Sequence, residues 1–146
     1  MNETLFLLSL WAVMHMCGGG LYLGGIRLYD IMVFPLIGEP YHILKYDQVV
    51  HTIGFGGATM LMYDLLRRFL RDPLPGWVPV AIVIIMAGMG TGALNEVIEF
   101  FTVVLFPSTG VGGYYNTSLD LVFNMIGAGM TGSYVVYKAA TSARGA

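Results

Sequence analysis

The chain has 146 residues, of which 56% are hydrophobic and 11% charged, and its mean hydropathy is +0.71. A soluble domain carries about 25% charged residues, and so short a chain cannot hide this much apolar surface in its own core, so the composition excludes an ordinary soluble fold and predicts a single transmembrane helical domain over residues 1–146. The formal net charge of −2 argues against a nucleic-acid partner or a polybasic patch, and the lone Cys17 excludes an internal disulfide and a zinc–cysteine pattern.

A helix needs about 20 apolar residues to cross the hydrocarbon. Four stretches meet that length: residues 4–25, 47–69, 77–106 and 117–137. The first follows Asn2 and Glu3, where a signal peptide would carry Lys or Arg, and no small-residue cleavage site stands out, so it is read as a retained helix. The first loop, residues 27–46, holds Asp30, Glu39, Pro35 and Pro40 and a short apolar run at 31–37. That run cannot span a membrane and is expected to lie in the interface or to re-enter the bundle. The second loop carries Arg67, Arg68 and Arg71 before Pro73 and Pro75, and the third, residues 107–113, is uncharged and glycine-rich. Trp77, Tyr114 and Tyr115 sit where interfacial aromatics belong. Small residues four apart, namely Gly20 with Gly24, Gly54 with Ala58 and Gly88 with Gly92, predict close helix packing.

Basic residues set the orientation. The second loop and the tail, with Lys138 and Arg144, fall on one side, which the positive-inside rule makes cytoplasmic. The expected fold is therefore an all-α membrane protein, a compact bundle of four transmembrane helices in the cell (inner) membrane with both termini cytoplasmic. Arg27 and Lys45 fall outside, balanced by Asp30, Glu39 and Asp47.

The intramembrane polar residues gather at mid to outer depth on all four helices. His15 and Tyr22 come from the first, and Asp47 and His51 from the second. Asn95, Glu96 and Glu99 come from the third, and Asn116, Asp120 and Asn124 from the fourth. Spacings of three or four residues put Asp47 with His51, Glu96 with Glu99, and Asn116 with Asp120 and Asn124 each on one helix face. A charged residue at mid-membrane costs roughly 2.5–3.5 kcal/mol on insertion scales, so these groups are expected to face one another, a cation or water. The candidate metal ligands are His51, Glu96, Glu99 and Asp120. The candidate catalytic groups are His15, Asp47 and Glu96, with Tyr22, Asn95, Asn116 and Asn124 as further polar lining. Carboxylates with one imidazole suit Zn, Mn or Fe, and Mg or Ca where histidine stays out. Gly88 to Gly92 lies inside a helix and is not a phosphate loop.

Three segments carry a family resemblance: Tyr46-Asp47-Gln48-Val49-Val50-His51, Asn95-Glu96-Val97-Ile98-Glu99-Phe100, and Asp120-Leu121-Val122-Phe123-Asn124-Met125-Ile126-Gly127. Together with Met14-His15 and the glycines that follow, they resemble the YjdF-like bacterial inner-membrane proteins and, more distantly, VanZ-like proteins, which are associated with glycopeptide resistance. The resemblance covers roughly residues 10–132 and implies roles for His15, Asp47, His51, Glu96, Glu99 and Asp120. Where the YjdF-like pattern carries several aspartates before the last helix, this chain has Asn116 and Thr117. The expected functions are a metal-dependent enzyme acting on a lipid or cell-envelope precursor, a small transporter or lipid- or ion-binding protein, or an accessory subunit with a structural ion site. The expected partners are the lipid bilayer, a lipid or envelope-precursor ligand, and a second copy or partner subunit.

Overall fold

The computed structural model describes residues 2–70 and 76–144, with side chains through residue 141. Four helices dominate: α1 (Asn2–Gly20), α2 (Tyr46–Arg67), α3 (Val78–Leu105) and α4 (Tyr114–Arg144). Between α1 and α2 lie β1 (Tyr22–Leu23), β2 (Ile26–Arg27), a single 3-10 turn (Leu28–Asp30), β3 (Met32–Ile37) and β4 (Ile43–Lys45). Among the described residues, three helices are long and apolar enough to cross a membrane: α2, α3 and the Tyr114–Thr141 part of α4.

The first span differs most from expectation. The run Gly18-Gly19-Gly20 weakens the helix, since each glycine costs about 1 kcal/mol relative to alanine, and α1 stops there rather than at residue 25. The chain then turns back at Gly24 and Gly25, both at positive φ (59° and 82°). Two successive positive φ values suit a two-residue hairpin turn, and Tyr22 pairs with Arg27 and Leu23 with Ile26. The apolar run at 31–37 does not enter the bundle. It forms β3, antiparallel to β4, with Val33, Phe34, Leu36 and Ile37 exposed. The chain is mostly helical, as expected, but this connection is two small ribbons, and 31–37 is an exposed strand rather than a re-entrant segment.

Local chemistry explains the remaining ends. Gln48 Oε1 accepts the Lys45 amide at 2.9 Å and the Leu44 amide as well, satisfying donors at the start of α2. Pro79 sits in the first turn of α3, where its missing N–H removes no helical bond. Pro107 follows α3 directly and disfavours helical backbone at Phe106, which is extended. The prolines and Arg71 of the second loop lie outside the described residues.

α2 is the centre of the bundle. It packs on α1, α3 and α4, and α3 and α4 pack on each other. Glycines allow these approaches: a Cβ on Gly54 would meet Trp11, one on Gly88 would meet Thr59, and one on Gly127 would meet the Thr52 carbonyl. The pairs Gly54/Ala58 and Gly88/Gly92 therefore serve packing, Gly92 against Asn124. The Gly20/Gly24 pair does not, because Gly24 has left the helix and neither glycine has a neighbour within 4 Å. One end of the bundle closes on Met60, Val80, Ile84 and Val135, with Tyr63, Leu66 and Trp77 packed against them. Polar groups at that end include Thr4, bonded to Asp64 at 2.6 Å, and Glu3, bonded to Lys138 at 3.0 Å. Outward side chains such as Ile82, Met86, Leu94 and Phe100 are more than half exposed, as lipid-facing residues of a span should be.

Candidate functional site

The opposite end, formed by the start of α2, the C-terminal part of α3 and the start of α4, collects the carboxylates. Asp47 stands in the first turn of α2, where the positive helix end favours a carboxylate. His51 lies one turn further, on the same face, with its ring 9% exposed as a residue. From α4, Asp120 and Asn124 reach the same imidazole and are each 1% exposed. His51 Nδ1 lies 2.9 Å from Asn124 Oδ1. With the amide oxygen accepting, Nδ1 carries the proton, and in that tautomer Nε2 presents a lone pair on the other side of the ring. That Nε2 lies 3.6 Å from Asp47 Oδ1 and 3.8 Å from Asp120 Oδ1. A lone pair between two carboxylates is repulsive unless a proton or a metal cation sits there.

α3 supplies a second arc. One ligand atom each from His51, Glu96 and Glu99 lie within 4.8 Å of one another, as do those of Asp47, His51 and Asp120. Two hydrogen bonds steady the outer members: Asn95 Nδ2 donates to Glu99 Oε1 at 2.9 Å, and Asn116 Nδ2 donates to Asp120 Oδ2 at 2.6 Å. Both Glu96 oxygens, Asp120 Oδ1 and Asn124 Nδ2 are buried without a hydrogen-bond partner among the described residues. Burying the three carboxylate oxygens unpaired costs free energy that a coordinated cation would recover.

A cavity of about 370 Å³ opens onto this cluster. His15, Asp47, His51, Glu99, Asn116 and Asp120 line its floor and walls. Loop residues Arg27, Tyr29 and Asp30, and residues 108–112, form the rim. Arg27 ties the rim together, donating from Nη1 to the Gly110 carbonyl at 3.1 Å and from Nε to Asp30 at 3.2 Å. It is the one Lys or Arg among the described lining residues, against Asp30, Asp47, Glu99 and Asp120, so the cavity is strongly acidic.

The structure thus brings His15, Asp47, His51, Glu99, Asn116 and Asp120 around one cavity. Glu96 and Asn124 stand behind that surface, against His51 and Glu99. Asn95 faces away into a different groove but bonds back to Glu99. Tyr22 is not in the pocket. The hairpin after Gly20 carries it outward, and it is 63% exposed. Tyr29 fills the place expected of Tyr22: its Oη lies 2.6 Å from His15 Nδ1 and 3.0 Å from the His15 carbonyl. Burial, then the charges of Asp47 and Glu99, push the Tyr29 phenol well above its ordinary range, so it remains a donor. Tyr29, Arg27 and Gln48 have loop or cap positions that no helical periodicity marks, and spacing alone could not find them.

No curated protein and no solved structure matches the chain. A family model described as predicted membrane protein (DUF2238) matches residues 1–140. The chain therefore belongs to this DUF2238 family of predicted membrane proteins.

Proposed function

We propose that this protein holds a divalent cation among Asp47, His51, Glu96, Glu99 and Asp120 and uses it on a lipid or cell-envelope precursor at the outer face of the cell membrane. The observation that carries this reading is the convergence of buried, unpartnered carboxylate oxygens of Glu96 and Asp120 on one imidazole whose tautomer Asn124 fixes. A histidine held by its second nitrogen is the usual device for presenting the first to a metal. Oxygen donors with a single nitrogen fit Zn, Mn or Fe better than a purely oxygen-seeking ion. Such a cation would polarise a phosphoryl or carbonyl oxygen or lower the pKa of bound water. His15, bonded to Tyr29 at the cavity wall, and Asp47 are placed to carry protons.

In this reading α1 crosses the bilayer beside α2, giving four spans. The pocket end faces outward, because Arg67, Arg68 and Lys138 lie at the other end. The exposed apolar β3–β4 ribbon then rests in the outer interface. The closed apolar end around Ile84 favours a one-sided pocket over a channel. The segments around His51, Glu96 and Asp120 resemble those of the YjdF-like proteins, and that resemblance supports a shared site. Metal analysis of purified wild-type protein beside Glu96→Gln and Asp120→Asn tests the reading.

A further inference from the structure

An apolar groove of about 280 Å³ runs beside the polar cavity and shares no lining residue with it. α1 and α3 both pack on α2 and hardly touch each other. Trp11 and Leu8 form one wall, Leu94 and Ile98 the other, and the stretch from Gly54 to Met62 the floor. The eight residue steps from Gly54 to Met62 at 1.5 Å each make that floor about 12 Å long. Its small residues keep it low, since a Cβ on Gly54 would already run into the Trp11 ring.

Thr91 Oγ1 donates to the Ala87 carbonyl at 3.0 Å and Asn95 Nδ2 to Glu99, and apart from the Trp11 indole N–H the rest of the lining side chains are apolar. The occupant is therefore apolar. A helix of a partner, about 10–12 Å across with side chains, is too thick for this volume, whereas a single hydrocarbon chain fits. The groove's floor and one wall are the candidate spans α2 and α3, and Leu94 and Ile98 at its lip are each 58% exposed, so its open side faces lipid tails.

One end of the groove meets the acidic site twice. Phe55 lines the groove and stacks on His51, with ring centroids 5.8 Å apart and planes 25° apart. Asn95 lines the groove and holds Glu99. We propose that the groove seats one acyl chain of a membrane lipid whose polar head lies against the carboxylate–histidine site. This rests on the cation-site reading and narrows its substrate class to a lipid held by its tail.

The test uses full-length protein in nanodiscs that contain a phosphatidylglycerol with a diazirine on one acyl chain. After irradiation, labelled peptides are mapped by mass spectrometry, and bound metal is measured in the same samples. Labelling should concentrate at residues 54–62 and 91–98. Leu94→Trp, which fills the groove from an exposed position, should lower it by on the order of tenfold, equivalent to about 1.4 kcal/mol of lost chain contact. Ile98→Trp should repeat the effect, and Val104→Trp, elsewhere on α3, should not. Both groove variants should keep their metal. Labelling spread evenly over the outward faces of α3 and α4, and unchanged by Leu94→Trp and Ile98→Trp, would overturn the groove. Concentrated labelling in a protein without metal would support the groove and overturn the cation reading alone.

Discussion

His51 and Asn124, on α2 and α4, are joined at 2.9 Å between Nδ1 and Oδ1, and this bond decides which nitrogen of His51 faces the carboxylates. Asn124 touches no part of the cavity surface, yet it sets the chemistry there. Replacing it with alanine frees the ring to rotate or change tautomer. Outer partners of metal-bound histidines are worth about ten- to a hundredfold in metal affinity. Asn124→Ala should lose that much by competition with a fluorescent chelator while the protein still elutes as a symmetric peak. Unchanged affinity would show that Asn124 only packs.

Protons would compete with the proposed cation for the same atoms. The His51 ring must be neutral and the carboxylates ionised to bind, so affinity should fall as pH falls. Each proton displaced adds about one log unit of affinity change per pH unit. A chelator titration across mildly acidic to mildly alkaline pH checks the sign, and a flat profile would contradict coordination by these groups.

Close approach of α2 and α4 makes a second kind of prediction. A Cβ on Gly127 would meet the Thr52 carbonyl and, at 3.0 Å, the Gly56 nitrogen, both backbone atoms that cannot yield. Gly127→Ala should cost about 1–3 kcal/mol as an overpacked contact and lower the thermal midpoint in detergent. Gly129, two residues on, has nothing within 4 Å of its Cβ position. There Gly129→Ala should be neutral or gain up to about 1 kcal/mol of helix propensity. Equal effects at the two sites would place the helix contact elsewhere.

The orientation is tested by accessibility. In a Cys17→Ser background, Gly113→Cys puts a thiol in the third loop, where a Cβ has open space. It should react with an impermeant maleimide on intact cells. Phe69→Cys, at a position 83% exposed at the other end, should react only after the membrane is opened. The reverse pattern would invert the protein.

The helices and the polar cluster were legible because both are written in repeating patterns. Long apolar runs gave α2, α3 and α4 to within a few residues, except where α4 continues to Arg144. Spacings of three and four residues put Asp47 with His51, and Asn116 with Asp120 and Asn124, on common faces. The loop between α1 and α2 was not legible in that way. Its apolar residues at 22–23, 26 and 31–37 read as an extension of a span and an interfacial segment, yet Gly24-Gly25 makes a hairpin and β4 pairs with β3. The Gly-Gly turn between apolar pairs was the available signal, masked by the expectation of a full-length first span. Tyr29 and Arg27 reach the cavity through that loop, so their places depend on tertiary contacts to His15 and Gly110 that no local pattern encodes.

The proposed cation site among Asp47, His51, Glu96, Glu99 and Asp120 is tested most directly by metal content. Wild-type protein purified after growth with Zn, Mn or Fe supplements should retain one of these metals in stoichiometric amount. Glu96→Gln and Asp120→Asn, each folded by circular dichroism, should lose most of it. Wild-type protein free of metal under every supplement, or metal retained by both variants, would contradict the account.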